Sequence, residues 1–175
     1  MFGMKGQQHM TRVDLATGLY QKADFERQLV LELKGAILRE SQFSVLAVVP
    51  RLLPGERAGE TLRPAAGCVR NLIRDDDVAG HLDEDILAVG LPNCDRVNAD
   101  ALAFRLQSDL RLSGQRLRNT AWEVGVACLP EDGSTMEELL AAAIDVARNR
   151  RRTLASATPT FAMQIPPALG EFGKL

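Results

Sequence analysis

The run FSVLAVV, from Phe43 to Val49, constrains the fold of this chain more than any other segment. It is almost entirely apolar, and valine, a β-branched residue, occurs in it three times. A short, continuous apolar run of this composition is typical of a strand that is buried on both faces. We therefore expect a central strand in a sheet that helices flank.

Helical spacing of apolar residues predicts the elements around this strand. Helices are expected over about Lys22–Glu40, Thr61–Ile73, Arg96–Leu112 and Met136–Arg152, and further strands over Val78–Leu82, Ile86–Leu91 and Trp122–Cys128. Without the first and last helices the order is βαββαβ, the ferredoxin-like split unit of the α+β class. In this class the sheet contains antiparallel strands.

Local signals refine the boundaries. Pro54 and Gly55 predict a loop over Arg51–Ala58. Pro64 must lie in the first turn of its helix, because an interior proline costs about 3 kcal/mol. Ser134 is the expected N-cap of the last helix.

Length and charge exclude several classes of protein. The 175 residues suffice for one domain, expected over 13–153, with a flexible leader over 1–12 and an extended tail over 154–175. A net charge of -2 argues against broad binding to nucleic acid or anionic lipid. There is no apolar run of about 20 residues and no signal peptide, so a cytoplasmic protein without membrane insertion is expected. Three scattered cysteines are expected to be buried thiols: Cys68, Cys94 and Cys128.

Three segments in this order resemble the GGDEF (diguanylate cyclase-like) family, over about residues 14–152. Asp14–Tyr20 reads DLATGLY and is similar to the opening motif D-x-L-T-G-L-Y, with Phe25 at the position of its phenylalanine. Val124–Gly133 reads VGVACLPEDG and resembles the motif S-x-G-V-A-x-x-P-x-D-G. Val78–Pro92 falls on the hairpin that carries the family signature. The resemblance implies the nucleotidyl-cyclase (GGDEF) fold.

The signature itself is degenerate. Its five positions read Asp83-Glu84-Asp85-Ile86-Leu87. In active members two glycines let the backbone approach the triphosphate, and here two carboxylates replace them. Asp85 matches an acidic metal ligand, but Ile86 stands at the catalytic glutamate and can neither bind metal nor accept a proton.

Other positions of the site have changed as well. No carboxylate follows the first strand, where the family's first metal-binding Asp is expected. Gln21 stands at the guanine-contacting Asn, and Ala58-Gly59 aligns with a Gly-Asp pair. A two-metal phosphoryl-transfer site cannot be assembled from these residues. We therefore expect no cyclase activity, no catalytic residues, no bound metal and no cofactor.

A second motif is retained. Many cyclases of the family carry an inhibitory site R-x-x-D that binds cyclic di-GMP, with its Arg nine positions before the signature. Arg74 and Asp77 have this spacing, and Arg105 lies 31 residues after Arg74, where the family has a second Arg (83 - 74 = 9; 105 - 74 = 31). The resemblance implies a cyclic di-GMP site at Arg74, Asp77 and Arg105, and a bound ligand dimer that could bridge two copies of the chain.

Several alternatives stay open from the sequence. Arg74 to Asp77 could be only a solvated helix end, and Asp75 and Asp76 would weaken binding of a diphosphate. Asp83 to Asp85 could hold a divalent cation, although a solvated acidic turn is favoured over that. His81 is interpreted as structural, and the arginines at 148 and 150–152 as a solvated helix end.

Two functions compete. The first is a non-catalytic cyclic di-GMP receptor that signals to a partner protein; by family analogy such receptors regulate exopolysaccharide production, motility or biofilm attachment in bacteria. The second is an interaction module that docks or dimerises without nucleotide. An enzyme of different chemistry has little support, because the sequence shows neither a nucleophile–base pair nor a metal cluster.

Overall fold

A computed structural model describes residues 12–52, 55–116 and 121–156. The fold of these residues is built on one antiparallel sheet. Its strands are β1 (Phe43–Arg51), β2 (Val78–His81), β3 (Leu87–Pro92) and β4 (Ala121–Leu129), in the order β2-β3-β1-β4. The apolar run is the inner strand β1, which pairs with β3 and with β4. The predicted central strand is confirmed.

Four helices complete the described fold: α1 (Lys22–Leu38), α2 (Leu62–Leu72), α3 (Arg96–Arg116) and α4 (Met136–Ser156). A short 3₁₀ turn, Gly59–Thr61, precedes α2. Pro64 is the third residue of α2 and lies in its first turn, as predicted. The order βαββαβ and the α+β class are confirmed. None of the helices in the described ranges is long and apolar enough to cross a membrane.

Each face of the sheet is covered by two helices, because side chains alternate between the faces of a strand. On one face, α2 and α3 pack against Leu46, Leu87 and Val124. On the other face, α1 and α4 pack against Val45, Ala88 and Ala127. These two cores bury β1 on both sides, which explains its continuous apolar sequence.

The opening motif runs alongside β2. The N–H of Tyr20 donates to the carbonyl of Ala79 (3.1 Å), and the N–H of His81 donates to the carbonyl of Tyr20 (2.9 Å). Phe25 lies over Gly80, where an added Cβ would stand 2.6 Å from the phenylalanine Cδ2. The motif therefore closes one edge of the described sheet.

A tight turn shapes this motif. The carboxylate of Asp14 accepts hydrogen bonds from the N–H of Thr17 and from its hydroxyl, both at 2.8 Å. Gly18 has a φ of +72°, a conformation that favours glycine. Hydrogen bonds from Thr17, chiefly that of its hydroxyl, lower the pKa of Asp14.

The structure corrects four predictions. Arg51 was predicted to begin a loop. It is instead the last residue of β1 and pairs with Ala121, because β1 extends beyond its buried part. Thr135, and not Ser134, caps α4: its hydroxyl accepts from the N–H of Glu138 (3.2 Å), and the Glu138 carboxylate accepts from the N–H of Thr135 (3.1 Å). This is a capping box. Helix α4 continues to Ser156, four residues beyond the helix end predicted at Arg152.

The fourth correction concerns the cysteines. Only Cys128 is buried; Cys68 and Cys94 are half-buried at the edges of the core. All three are free thiols. Most of the predicted leader, residues 1–11, and most of the predicted tail, residues 157–175, lie outside the described residues.

Candidate functional site

Two charged segments lie at the two ends of β2. The first, residues 74–77, is the turn between α2 and β2 and is called the RxxD turn below. The second, residues 82–86, connects β2 to β3 and is called the hairpin tip. The predicted ligand site falls on the first segment and the degenerate signature on the second.

The hairpin tip closes on itself. His81 and Leu87 are the last paired residues of the two strands, and the N–H of Leu82 donates to the carbonyl of Ile86 (2.9 Å). Asp83 turns its carboxylate back to accept from the N–H of Glu84 (2.8 Å). Backbone and side-chain hydrogen bonds within the tip thus hold Asp83 and Glu84, the two residues predicted to replace the signature glycines.

The other side chains of the tip contact neighbouring residues. Glu84 forms an ion pair with Arg57, and Asp85 accepts a hydrogen bond from the N–H of Ala58 (3.0 Å). Ile86 is half-buried and packs on the core formed with α1 and α4, whereas Leu87 is fully buried in the core formed with α2 and α3. The tip is therefore anchored to the segment before α2 and to both cores.

An open cleft of about 1190 Å³ lies beside the tip. The end of β1 and the C-terminal half of α4 form its other walls, where Asp145 and Arg148 are exposed. Arg51 forms an ion pair with the buried Glu123 across the β1–β4 edge. Sequence reasoning missed Glu123 and Asp145, because nothing in their local sequence distinguishes them from other acidic residues.

The acidic residues of the tip do not converge. In the ranges that the structure describes, no group of three or more His, Cys, Asp or Glu side chains is arranged to hold a metal ion. The carboxylates of Asp83, Glu84 and Asp85 are each directed to a different hydrogen-bond donor. The tip is accordingly an acidic turn whose carboxylates accept from the tip itself and from the segment before α2.

The RxxD turn is held by its own aspartate. The N–H of Asp77 donates to the carbonyl of Arg74 (3.1 Å), and the N–H of Arg74 donates to Oδ2 of Asp77 (2.7 Å). Asp77 is half-buried, and this burial raises the pKa of its carboxyl group. Its second oxygen, Oδ1, accepts no hydrogen bond from the residues that the structure describes.

Arg74 is exposed, and its guanidinium makes no hydrogen bond or ion pair with any described residue. A shallow cavity of about 340 Å³ lies beside the turn. Besides Arg74 and Asp77, the cavity is lined by Tyr20 from the opening motif and by Arg70 from α2. No spacing signal pointed to Tyr20 or Arg70, because the cavity forms only when the opening motif lies beside β2.

Arg105 lies on α3, the helix that packs beside α2 on the same face of the sheet. Its side chain is exposed and has no hydrogen-bond or ion-pair partner among the described residues. It is not one of the described residues that line the cavity at the RxxD turn. The structure thus brings Arg74 and Asp77 together and leaves Arg105 on the neighbouring helix.

Solved structures of GGDEF domains share this arrangement. The GGDEF domain of TpbB (YfiN) from Pseudomonas aeruginosa is 27% identical, with a TM-score of 0.65, over 81% of this chain and 90% of that chain. The chain has the GGDEF-domain fold. No protein-family model and no curated protein matches the sequence.

Two further GGDEF structures share the fold and carry a bound partner. The GGDEF domain of DgcB from Caulobacter crescentus, in complex with cyclic di-GMP, is 15% identical, with a TM-score of 0.64, over 83% of this chain and 92% of that chain. Diguanylate cyclase SiaD from Pseudomonas aeruginosa, in complex with its activator SiaC, is 15% identical, with a TM-score of 0.66. That match covers 81% of this chain and 58% of the SiaD chain.

Within this GGDEF fold, the side chain of His81 contacts the opening motif. Its Nε2 lies 2.8 Å from the hydroxyl of Thr17 and 4.0 Å from the carboxylate of Asp14. The imidazole therefore connects the end of β2 to the turn of the opening motif. This environment agrees with the structural interpretation of His81.

Proposed function

We propose that the chain is a non-catalytic cyclic di-GMP receptor that binds the dinucleotide at Arg74, Asp77 and Arg105 and signals to a partner protein in the bacterial cytoplasm. The observation that carries the proposal is the RxxD turn. Its aspartate fixes the backbone, while Arg74 is exposed and its guanidinium has no hydrogen-bond or ion-pair partner among the described residues. A site that is shaped before its ligand arrives loses less entropy on binding.

The chemistry of the turn suits a guanine nucleotide. A guanidinium can donate two hydrogen bonds to O6 and N7 of guanine, stack on the purine, or bind a phosphate. Oδ1 of Asp77 can accept from the N1–H and N2–H₂ groups of guanine, which adenine lacks. The exposed Arg105 supplies a second cation within the same face of the molecule.

The hairpin tip supports the non-catalytic part of the proposal. A triphosphate would have to approach the backbone at Asp83 and Glu84, where two carboxylates now stand, one of them paired with Arg57. Asp85 accepts from the N–H of Ala58, and Ile86 packs on the core at the position that resembles the catalytic glutamate. The isoleucine side chain at this position cannot remove a proton from a 3′-hydroxyl.

Calorimetric titration tests the proposal. Cyclic di-GMP is titrated into the protein, GTP serves as the parallel ligand, and Arg74→Ala is compared with Arg39→Ala. Arg39 is an exposed arginine at the end of α1, on the opposite face of the sheet. We expect the wild type and Arg39→Ala to bind the dinucleotide equally well, and Arg74→Ala to bind it roughly 5- to 150-fold more weakly. The absence of heat and of any thermal shift with the wild type would refute the receptor.

The second candidate is a docking or dimerisation module that needs no nucleotide. A stripe of exposed apolar side chains on α3 favours it, with Phe104 73% exposed. A protein that fails to bind cyclic di-GMP but still associates through this helix would have this second function. Arg74 lies in the RxxD turn and Phe104 in the α3 stripe, so Arg74→Ala and Phe104→Asp test the two candidates separately.

A further inference from the structure

Helix α3 carries an apolar stripe that the described fold leaves uncovered. Val97, Phe104 and Leu112 are 75%, 73% and 63% exposed. At 100° per residue these three side chains, with Ala101 and Ser108 between them, fall within an arc of about 80°. The opposite face of the helix is buried against the sheet. Isolated exposed apolar residues are ordinary, but a continuous helical stripe of this length indicates an interaction surface.

We propose that this α3 stripe binds the α3 stripe of a second copy of the chain, in an antiparallel pair related by a two-fold axis. The proposal does not depend on nucleotide binding. A two-fold axis places each residue opposite a residue of the same surface, so the surface must be complementary to itself. The charges that flank the stripe meet this condition.

One edge of the stripe carries Asp100 and Arg111. Both side chains are exposed, and neither has an ion-pair partner among the described residues. In an antiparallel pair centred between residues 105 and 106, Asp100 of one copy lies level with Arg111 of the other (105.5 - 100 = 111 - 105.5). The two-fold axis repeats the contact, so this edge forms two equivalent ion pairs, each between Asp100 of one copy and Arg111 of the other.

The other edge carries Arg105 and Asp109, which also lack an ion-pair partner in the described part of the chain. In the same register each Arg105 lies three residues, about 4.5 Å along the axis, from Asp109 of the other copy. An arginine side chain spans this offset. The two Phe104 side chains then lie close to the axis, and Val97 of each copy lies near Leu112 of the other.

The size of the stripe sets the strength of the pair. Residues 97–112 extend about 22 Å along the helix. A stable interface usually buries about 800 Å² on each partner, and a single helix face of this length contributes on the order of half of that. We therefore expect a monomer–dimer equilibrium that shifts with protein concentration, not a permanent dimer.

Sedimentation equilibrium over a wide range of protein concentrations tests the pair. We expect Phe104→Asp to raise the dimer dissociation constant by roughly tenfold or more, since the two-fold axis introduces the change twice. Leu38→Asp is the matched control, because Leu38 is 84% exposed on α1 and lies outside the stripe. Circular dichroism verifies that both variants are folded.

Charge reversal tests the register itself. Asp100→Arg alone and Arg111→Asp alone should each weaken self-association, because each places like charges opposite each other. A mixture of the two variants should form a heterodimer, because both contacts then join opposite charges, one with the original signs and one with exchanged signs. A wild type that remains monomeric at every concentration, a Leu38→Asp variant that dissociates like Phe104→Asp, or a mixture that does not associate would each overturn the proposal.

Discussion

The hairpin tip and the RxxD turn are both short, charged and attached to the same strand, yet they differ in what their charges contact. In the tip, Glu84 is paired with Arg57, and Asp85 accepts from the backbone of Ala58. In the turn, the aspartate holds the backbone and Arg74 has no partner among the described residues. A ligand site needs polar groups that the fold positions but does not satisfy. By this criterion the turn is the better candidate.

The largest expected effect comes from Leu87, the residue predicted to occupy the fifth signature position. Leu87 is fully buried in the core formed with α2 and α3. Leu87→Ala should lower the free energy of unfolding by about 2–5 kcal/mol, because it leaves a cavity between the sheet and these helices. Urea denaturation measures the loss. A change below about 1 kcal/mol would show that this position does not anchor the hairpin.

The next effect contrasts arginines of the two regions. Arg74→Ala should weaken cyclic di-GMP binding by about 1–3 kcal/mol, the value of one bidentate contact to guanine. Arg57→Ala removes the ion-pair partner of Glu84 in the hairpin tip. It should leave the affinity unchanged, because the guanidinium of Arg57 is already paired. Calorimetric titration of both variants measures the difference. Equal losses in the two variants would remove the distinction between the regions.

Asp77→Asn should separate binding from stability. Burial raises the pKa of Asp77 above its ordinary value of 3.8. A raised folded-state pKa means that the stability from this group is present below pH 3.8 and is lost as the pH rises through the raised pKa. Asparagine stays neutral and can still accept from the N–H of Arg74. The variant should therefore be more stable than the wild type at pH 7 but bind cyclic di-GMP more weakly.

Denaturant unfolding at pH 7 and at pH 4.5 tests the stability part. The advantage of Asp77→Asn should shrink at the lower pH, because the protonated fraction of the wild-type carboxyl increases as the pH falls. An advantage that grows on acidification would mean that the carboxylate stabilises the turn in its charged form. In that case the cost of burial would not dominate at Asp77.

The smallest effect concerns the ion pair of the tip. Arg57 and Glu84 are 72% and 68% exposed at their side chains. Exposed pairs of this kind contribute about 0–1 kcal/mol, so Glu84→Gln should change the free energy of unfolding by less than about 1 kcal/mol. The same urea measurement applies, with Leu87→Ala as the reference. A loss as large as that of Leu87→Ala would show that the pair, and not the buried leucine, anchors the tip.

Periodicity in the sequence was sufficient for most of the fold. The alternation of helix and strand, the central position of β1 and the place of Pro64 follow from local patterns and were confirmed. The cap of α4 was assigned to Ser134 although Thr135 provides it, because both residues precede the helix and only the backbone geometry distinguishes them. The exposure of Cys68 and Cys94 depends on how far the helices cover the core, and local sequence does not report that.

The candidate site divides in the same way. The resemblance and its motif spacing predicted a site at Arg74 and Asp77 and the five signature positions, because such motifs are defined by distances along the chain. The pairing of Glu84 with Arg57 joins residues 27 positions apart, and Tyr20 and Arg70 reach the RxxD turn from two other segments. Contacts of this kind form only when the sheet assembles. The sequence by itself therefore determined which charged groups this protein has and where they lie along the chain, while only the tertiary structure decided which of them are neutralised by neighbours and which remain open to a ligand.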